Sequence, residues 1–328
     1  MIQQASEQTG QATEPAATLL RDDQIVASRA RLTATDGISL HYRAWLPASG
    51  QAACSLVFLH GIASHGAWFA ETATHLAQRG IAVYAPDRRG SGLSGGLRGH
   101  IDQYEQALDD LDRVIEMVEA QQPATPLFLA SSSWAAKLAI AYAAQAQARL
   151  TGLLLLGPGL FPKVDLSLGR KLAVLVNHRF NPERQIQIPL IPASYTRNGE
   201  YLEYVRRDPY RLRTASARFF WETRRLDRAR TRLAATLTLP VLLQIGDADP
   251  IMDAPATCRW LQRLTTTDRT AITYQDASHT LDFEGGQTVR AYRADLLGWL
   301  RRQIALHPVQ HTNQRLNDEP GKDKGHGR

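Results

Sequence analysis

Hydrophobic residues along this chain fall into short continuous runs separated by amphipathic stretches. Ser55-Leu-Val-Phe-Leu59, Ile81-Ala-Val-Tyr-Ala85, Leu127-Phe-Leu-Ala130, Leu153 to Leu156 and Pro240-Val-Leu-Leu-Gln244 are of strand length. Strands buried on both faces read as unbroken apolar runs, because neither face meets water. Between them, Ala67 to Arg79 (closed by Gly80), Ile101 to Ala120 and the stretch ending at Ala148 predict helices. Ser28–Thr35 and Ser39–Leu46, split by Asp36-Gly37, predict a hairpin. The pattern predicts an α/β fold: a mostly parallel sheet covered by helices on both faces.

The alternation stops after Pro158 and resumes near Leu237. This stretch is richer in Pro, Tyr and Arg and predicts a helical cap inserted after the sixth strand. The expected organisation is a flexible N-terminal tail (1–24), a core (25–157 and 238–306), a cap or lid (158–237) and a disordered C-terminal tail (307–328). The whole chain carries +6, yet residues 160–236 hold 16 Lys or Arg against 7 Asp or Glu, a net of +9. The positive charge is therefore concentrated in the insertion.

A chain of 328 residues with 44% hydrophobic content can bury one large core. Cys54 and Cys258 lie far apart and make no metal-ligand spacing; Cys54 opens an apolar strand and predicts a buried reduced thiol. The first residues lack the charged start and apolar run of a signal peptide. No apolar stretch reaches the ~18 residues of a membrane span. The expectation is a cytoplasmic protein.

In such sheets catalytic residues sit just past the carboxyl ends of strands, where His60, Asp87, Ser133 and Asp249 all fall. Leu127-Phe-Leu-Ala-Ser-Ser-Ser-Trp-Ala-Ala-Lys-Leu-Ala139 reads as a strand, a tight turn and a helix start. That context suits a nucleophile elbow, whose usual pattern is Gly-x-Ser-x-Gly. Neither glycine is present, but sterics select one serine. With Ser133 as nucleophile the crowded positions are Ser131 and Ala135. With Ser132 or Ser131, a Trp or a Leu would have to occupy them. A serine nucleophile needs a base and an orienting acid. His279, past a predicted short strand, is the natural base, since His178 lies in the insertion and His307, His311 and His326 near the C-terminus. Gln244-Ile-Gly-Asp-Ala-Asp-Pro-Ile-Met-Asp supplies the acid; Asp249 fits best, with Asp247 and Asp253 open. His60 and His65 read as buttresses, and Asp87-Arg88-Arg89 as a turn fixed by local hydrogen bonds.

Over roughly residues 28 to 303 the chain resembles α/β-hydrolases of the monoacylglycerol lipase and lysophospholipase (serine aminopeptidase-type) branch. The resemblance rests on Leu59-His-Gly-Ile-Ala-Ser-His65, Ala85-Pro-Asp-Arg-Arg-Gly-Ser-Gly-Leu-Ser94, the elbow, Gly246-Asp-Ala-Asp249 and Ser278-His279. It implies Ser133 as nucleophile, Asp249 as acid, His279 as base, and an oxyanion hole from the backbone N–H groups of Ile62 and Trp134. It implies a serine esterase acting on lipid-like carboxylic esters, with no metal and no organic cofactor. The alternative is a weak or inactive binding protein, because Ser131, Ala135 and Ala136 replace glycines. In the insertion, Arg206 and Arg207 are candidates for binding an anionic head group, and the basic cap for touching a membrane surface. Nucleic acid is not an expected partner.

Overall fold

A computed structural model describes residues 25–307; the two expected tails lie outside them, save His307. In chain order the elements are β1 (Ile25–Thr33), β2 (Ser39–Pro47), β3 (Cys54–Leu59), α1 (Ala70–Ala77), β4 (Ile81–Pro86), α2 (Tyr104–Gln121), β5 (Leu127–Ser133), α3 (Ala135–Ala146) and β6 (Gly152–Pro158). Then follow α4 (Leu168–Phe180), β7 (Gln185–Gln187), α5 (Gly199–Arg207), β8 (Thr214–Ser216) and α6 (Ala217–Ala234). The chain continues with β9 (Val241–Gly246), α7 (Ala254–Leu261), β10 (Arg269–Tyr274) and α8 (Gly286–Leu306).

Eight strands form one sheet in the order β1-β2-β4-β3-β5-β6-β9-β10. β1 and β2 pair antiparallel, as does β2 with β4; every pairing from β4 to β10 is parallel. The five central strands β3, β4, β5, β6 and β9 are the apolar runs of the sequence, and they are buried almost throughout. The core divides into two layers because side chains alternate across the sheet. Leu129, Leu155 and Leu243 pack on one face with α2 and α3, whereas Phe128, Leu154 and Leu242 pack on the other with α1 and α8. Cys54 is fully buried with a free thiol, as its place in an apolar run requires.

The segment between β6 and β9 carries three helices and also an antiparallel ribbon, β7–β8, which the helical expectation lacks. Three-residue strands are too short to show a period. The segment is bolted to the core by specific bonds. Leu212 N–H donates to the Ala63 carbonyl (2.9 Å), and Ser216 N–H to that of Gly99 (2.8 Å). His65 and the Trp68 indole N–H both meet the Asp208 carboxylate, at 3.1 and 2.8 Å. Trp134 Nε1 donates to Thr223 Oγ1 (2.9 Å), and Lys137 pairs with Asp227 (2.7 Å), so α6 is tied directly to α3.

Candidate active site

β5 ends on Ser133, which has φ +51°, a left-handed conformation that costs a residue with a Cβ of order 1 kcal/mol or more. The pairing with β6 shifts register between Ser132 and Ser133, and α3 starts two residues later. The sharp strand-to-helix turn therefore forms without its own glycines: Ser131 and Ala135 are both fully buried. The room comes from neighbouring segments. A Cβ on Gly61 would stand 2.9 Å from Ser133 Cβ, and one on Gly159 would stand 2.8 Å from the Ser133 carbonyl. Gly159 N–H also donates to that carbonyl (2.7 Å). The sequence signals were the glycines of His60-Gly61 and Pro158-Gly159, just past the ends of β3 and β6, the strands that flank β5.

The three carboxylates after β9 have separate partners. Asp247 accepts from Asp276 N–H (2.7 Å), and Asp253 caps α7 by accepting from Ala256 N–H (2.8 Å). Asp249 Oδ2 meets His279 Nδ1 at 2.7 Å, while its Oδ1 accepts from the N–H groups of Ile251 (2.7 Å) and Met252 (3.0 Å). Burial pushes the Asp249 carboxyl up. The charge and hydrogen bond of His279, with the two N–H donors, outweigh burial and hold it below the ordinary carboxylate range. An ionised Asp249 fixes the ring with its proton on Nδ1 and leaves Nε2 as the basic nitrogen. His279 Nε2 is buried and has no hydrogen-bond partner among the described residues. Lys163 Nζ donates to the Asp249 carbonyl (2.7 Å), which braces this loop from the insertion side.

Ser133 and His279 line one narrow cavity with Gly61, Ile62, Ser64, Trp68, Tyr195 and Asp282. The volume open to water centres is about 30 Å³, enough for one or two waters. Asp282 is a buried carboxyl that sequence reasoning passed over. Burial pushes it up to about 6, against the opposing hydrogen bond of Thr72 and the charge of Arg293.

The loop 60–65 is held from below. Asp87 is a buried hub for His41 (2.9 Å), Arg43 (3.0 Å), Gly66 N–H (2.7 Å) and Leu93 N–H (2.9 Å). Burial pushes its carboxyl up, but the His41 bond and the Arg43 charge outweigh burial and hold it well below the usual carboxylate range. His60 accepts from Arg88 N–H at Nε2 (2.9 Å) and meets the Gly61 carbonyl through Nδ1 (3.0 Å). Burial first, and then the Arg88 charge, push its basicity well down, so it is a neutral strut.

The sequence expectation for Arg88 was a local turn; its guanidinium instead reaches three carbonyls of the 60–62 loop. Arg206 and Arg207 are not brought to the cavity. Their side chains are exposed and pair with Glu203 on the same helix.

The chain matches the family described as serine aminopeptidase, S33, over residues 50–286. It is 26% identical over 283 residues to a monoglyceride lipase of Rattus norvegicus, covering 84% of this chain and 91% of that one. A monoacylglycerol lipase of Mycolicibacterium smegmatis is 23% identical, over 80% and 93% of the two chains. A soluble variant of monoglyceride lipase from Saccharomyces cerevisiae, solved with a substrate analogue, superposes with a TM-score of 0.76 at 19% identity over 84% and 94%. A hydrolase-type elbow on this sheet order and a match over most of the chain converge: the protein belongs to the serine aminopeptidase S33 family of α/β-hydrolases, in its monoacylglycerol lipase-like branch, and is an esterase- or lipase-like hydrolase.

Proposed function

We propose that the protein cleaves the carboxylic ester of a monoacylglycerol- or lysophospholipid-type substrate through an acyl-enzyme on Ser133. The observation that carries the reading is the 2.7 Å contact of His279 Nδ1 with Asp249, which leaves Nε2 buried, without a partner among the described residues, on the cavity that Ser133 also lines. Ser133 Oγ attacks the carbonyl carbon as His279 Nε2 takes its proton, and Asp249 stabilises the resulting imidazolium. The N–H groups of Ile62 and Trp134 receive the oxyanion. Collapse expels the alcohol, which takes the proton from His279. A water then attacks the acyl carbon, gives His279 its proton, and releases the fatty acid as Ser133 recovers it.

Support for a lipid-like substrate comes from the relatives' names and from α4. Leu168, Leu172, Leu175, Val176 and Phe180 are exposed, Leu168 and Phe180 by more than four fifths. Their spacing puts most of them on one stripe of the helix. Arg170, Lys171 and Arg179 lie on the same helix. An exposed apolar stripe on a helix that also carries basic residues suits the interface of an anionic bilayer, and this reading assigns the membrane contact to α4.

Turnover of a monoacylglycerol, a lysophospholipid and a p-nitrophenyl ester by wild type, Ser133→Ala and His279→Ala tests the chemistry. The expected result is loss of at least about 10⁴-fold in both variants; variants as active as wild type would overturn it. Leu172→Glu with Leu175→Glu should abolish sedimentation with anionic vesicles and leave p-nitrophenyl acetate turnover unchanged. Undiminished sedimentation would remove α4 from the contact.

A further inference from the structure

We infer that Arg88 is a positioning residue that sets both donors of the oxyanion hole, an inference that rests on the hydrolase reading above. Its Nη2 donates to the Gly61 carbonyl at 2.8 Å and to the Ile62 carbonyl at 3.3 Å, and its Nε donates to the His60 carbonyl at 3.3 Å. The peptide linking Gly61 to Ile62 is planar and trans, so its C=O and N–H point in opposite directions. Holding the Gly61 carbonyl toward Arg88 therefore aims the Ile62 N–H away from it. Gly61 itself lies against Ser133, close enough that an added Cβ would meet Ser133 Cβ at 2.9 Å.

The same guanidinium covers the Trp134 indole, 4.7 Å from the ring centroid. Trp134 directly follows Ser133 and supplies the second proposed donor. Its ring is further fixed by Phe219 at 4.8 Å and by the Thr223 hydroxyl. One side chain thus spans the two loops whose N–H groups must converge on one oxygen.

The other buried arginines among the described residues behave differently. Arg89 pairs with Asp110 (2.6 Å) and Asp36 (2.8 Å), and Arg43 pairs with Asp87 (3.0 Å). Arg88 is 8% exposed; its hydrogen bonds go to carbonyls and its face covers an indole, while the Asp87 charge favours it without a direct hydrogen bond. Burying a guanidinium on such partners is costly for stability alone, whereas a rigid donor array is what an oxyanion site requires. Arginine suits the task because its planar fork holds several acceptors in one geometry.

The test compares wild type with Arg88→Met and Arg88→Lys on a p-nitrophenyl ester. It adds the affinity of a trifluoromethyl ketone, which forms an oxyanion, and of a fatty alcohol, which does not. His60 still holds the Gly61 carbonyl, so the expected fall in kcat for Arg88→Met lies between about 10-fold and the 100- to 1,000-fold of a lost donor. KM and alcohol affinity should stay within about 3-fold, while ketone affinity falls in step with kcat/KM. Arg88→Lys, which keeps the charge and one donor, should fall between. Equal losses for ketone and alcohol, or unchanged kcat in a folded Arg88→Met or Arg88→Lys, would overturn the inference. Amide exchange of residues 60–64 is read on the same proteins. If wild type neither turns over esters nor ketone binding depends on Ser133, the hydrolase reading fails. Faster exchange at 60–64 in Arg88→Lys would then still support the clamp, and unchanged exchange would refute it.

Discussion

Replacing Ser133 by glycine and, separately, by alanine isolates the strain stored in the elbow. Both variants lack the hydroxyl and are expected to be inactive, so only the backbone preference at φ +51° distinguishes them. A residue with a Cβ is penalised in the left-handed region by about 1–2 kcal/mol. Glycine escapes that penalty but loses more chain entropy on folding, which returns about 0.4–1 kcal/mol. Gly61 carries no Cβ to press on Ser133 Cβ, so the backbone preference alone sets the sign. The net expectation is that Ser133→Gly is more stable than Ser133→Ala by about 1 kcal/mol. For a chain of this size that is a rise in Tm of about 1–2 °C. Urea titration and thermal scans at matched protein concentration measure it. A glycine variant no more stable than the alanine variant would mean that the turn is relaxed with a Cβ present, and the strained-elbow argument would fall.

The three carboxylates after β9 separate in the same way. Asp249→Asn should keep the fold and lower kcat by about 10⁴-fold through the wrong His279 tautomer, whereas Asp253→Ala should keep kcat and lose about 1 kcal/mol of helix-cap stability; steady-state kinetics beside urea titration distinguishes them. Asp282 has its folded value raised to about 6 by burial, above the ~3.9 of an unfolded chain. Between those values the folded protein holds the proton more tightly, so stability falls as pH rises from about 4 to 6. Asp282→Asn should flatten that part of the stability–pH curve, with a total effect on the order of 2–3 kcal/mol; a curve with unchanged slope would contradict the assignment.

Much of this was readable in the chain, for identifiable reasons. The central strands are apolar on both faces, so their runs located β3, β4, β5, β6 and β9 to within a few residues. Ser133 was selected by a steric argument that needs only residue volumes. His279 and Asp249 follow from strand ends, and the structure separates Asp249 from Asp247 and Asp253 through their different partners. What stayed hidden is non-local. The role of Arg88 depends on carbonyls 26 to 28 residues away, while its neighbours in sequence suggest only a turn. The space for the elbow is made by Gly61 and Gly159, just past the ends of the adjacent strands β3 and β6, so the elbow's own residues undercount its glycines. In the insertion, composition drew attention to Arg206 and Arg207. Their exposure and pairing with Glu203 make them a solvated helix face, and the apolar stripe of α4 was the stronger feature.

Fluorophosphonate labelling followed by peptide mass mapping tests whether Ser133 is the activated nucleophile. An activated Ser133 gives a single phosphonylated site at that residue in wild type, at least about 10³-fold slower labelling in His279→Ala, and none in Ser133→Ala. A folded wild-type protein left unlabelled, or labelled at another serine, would contradict it.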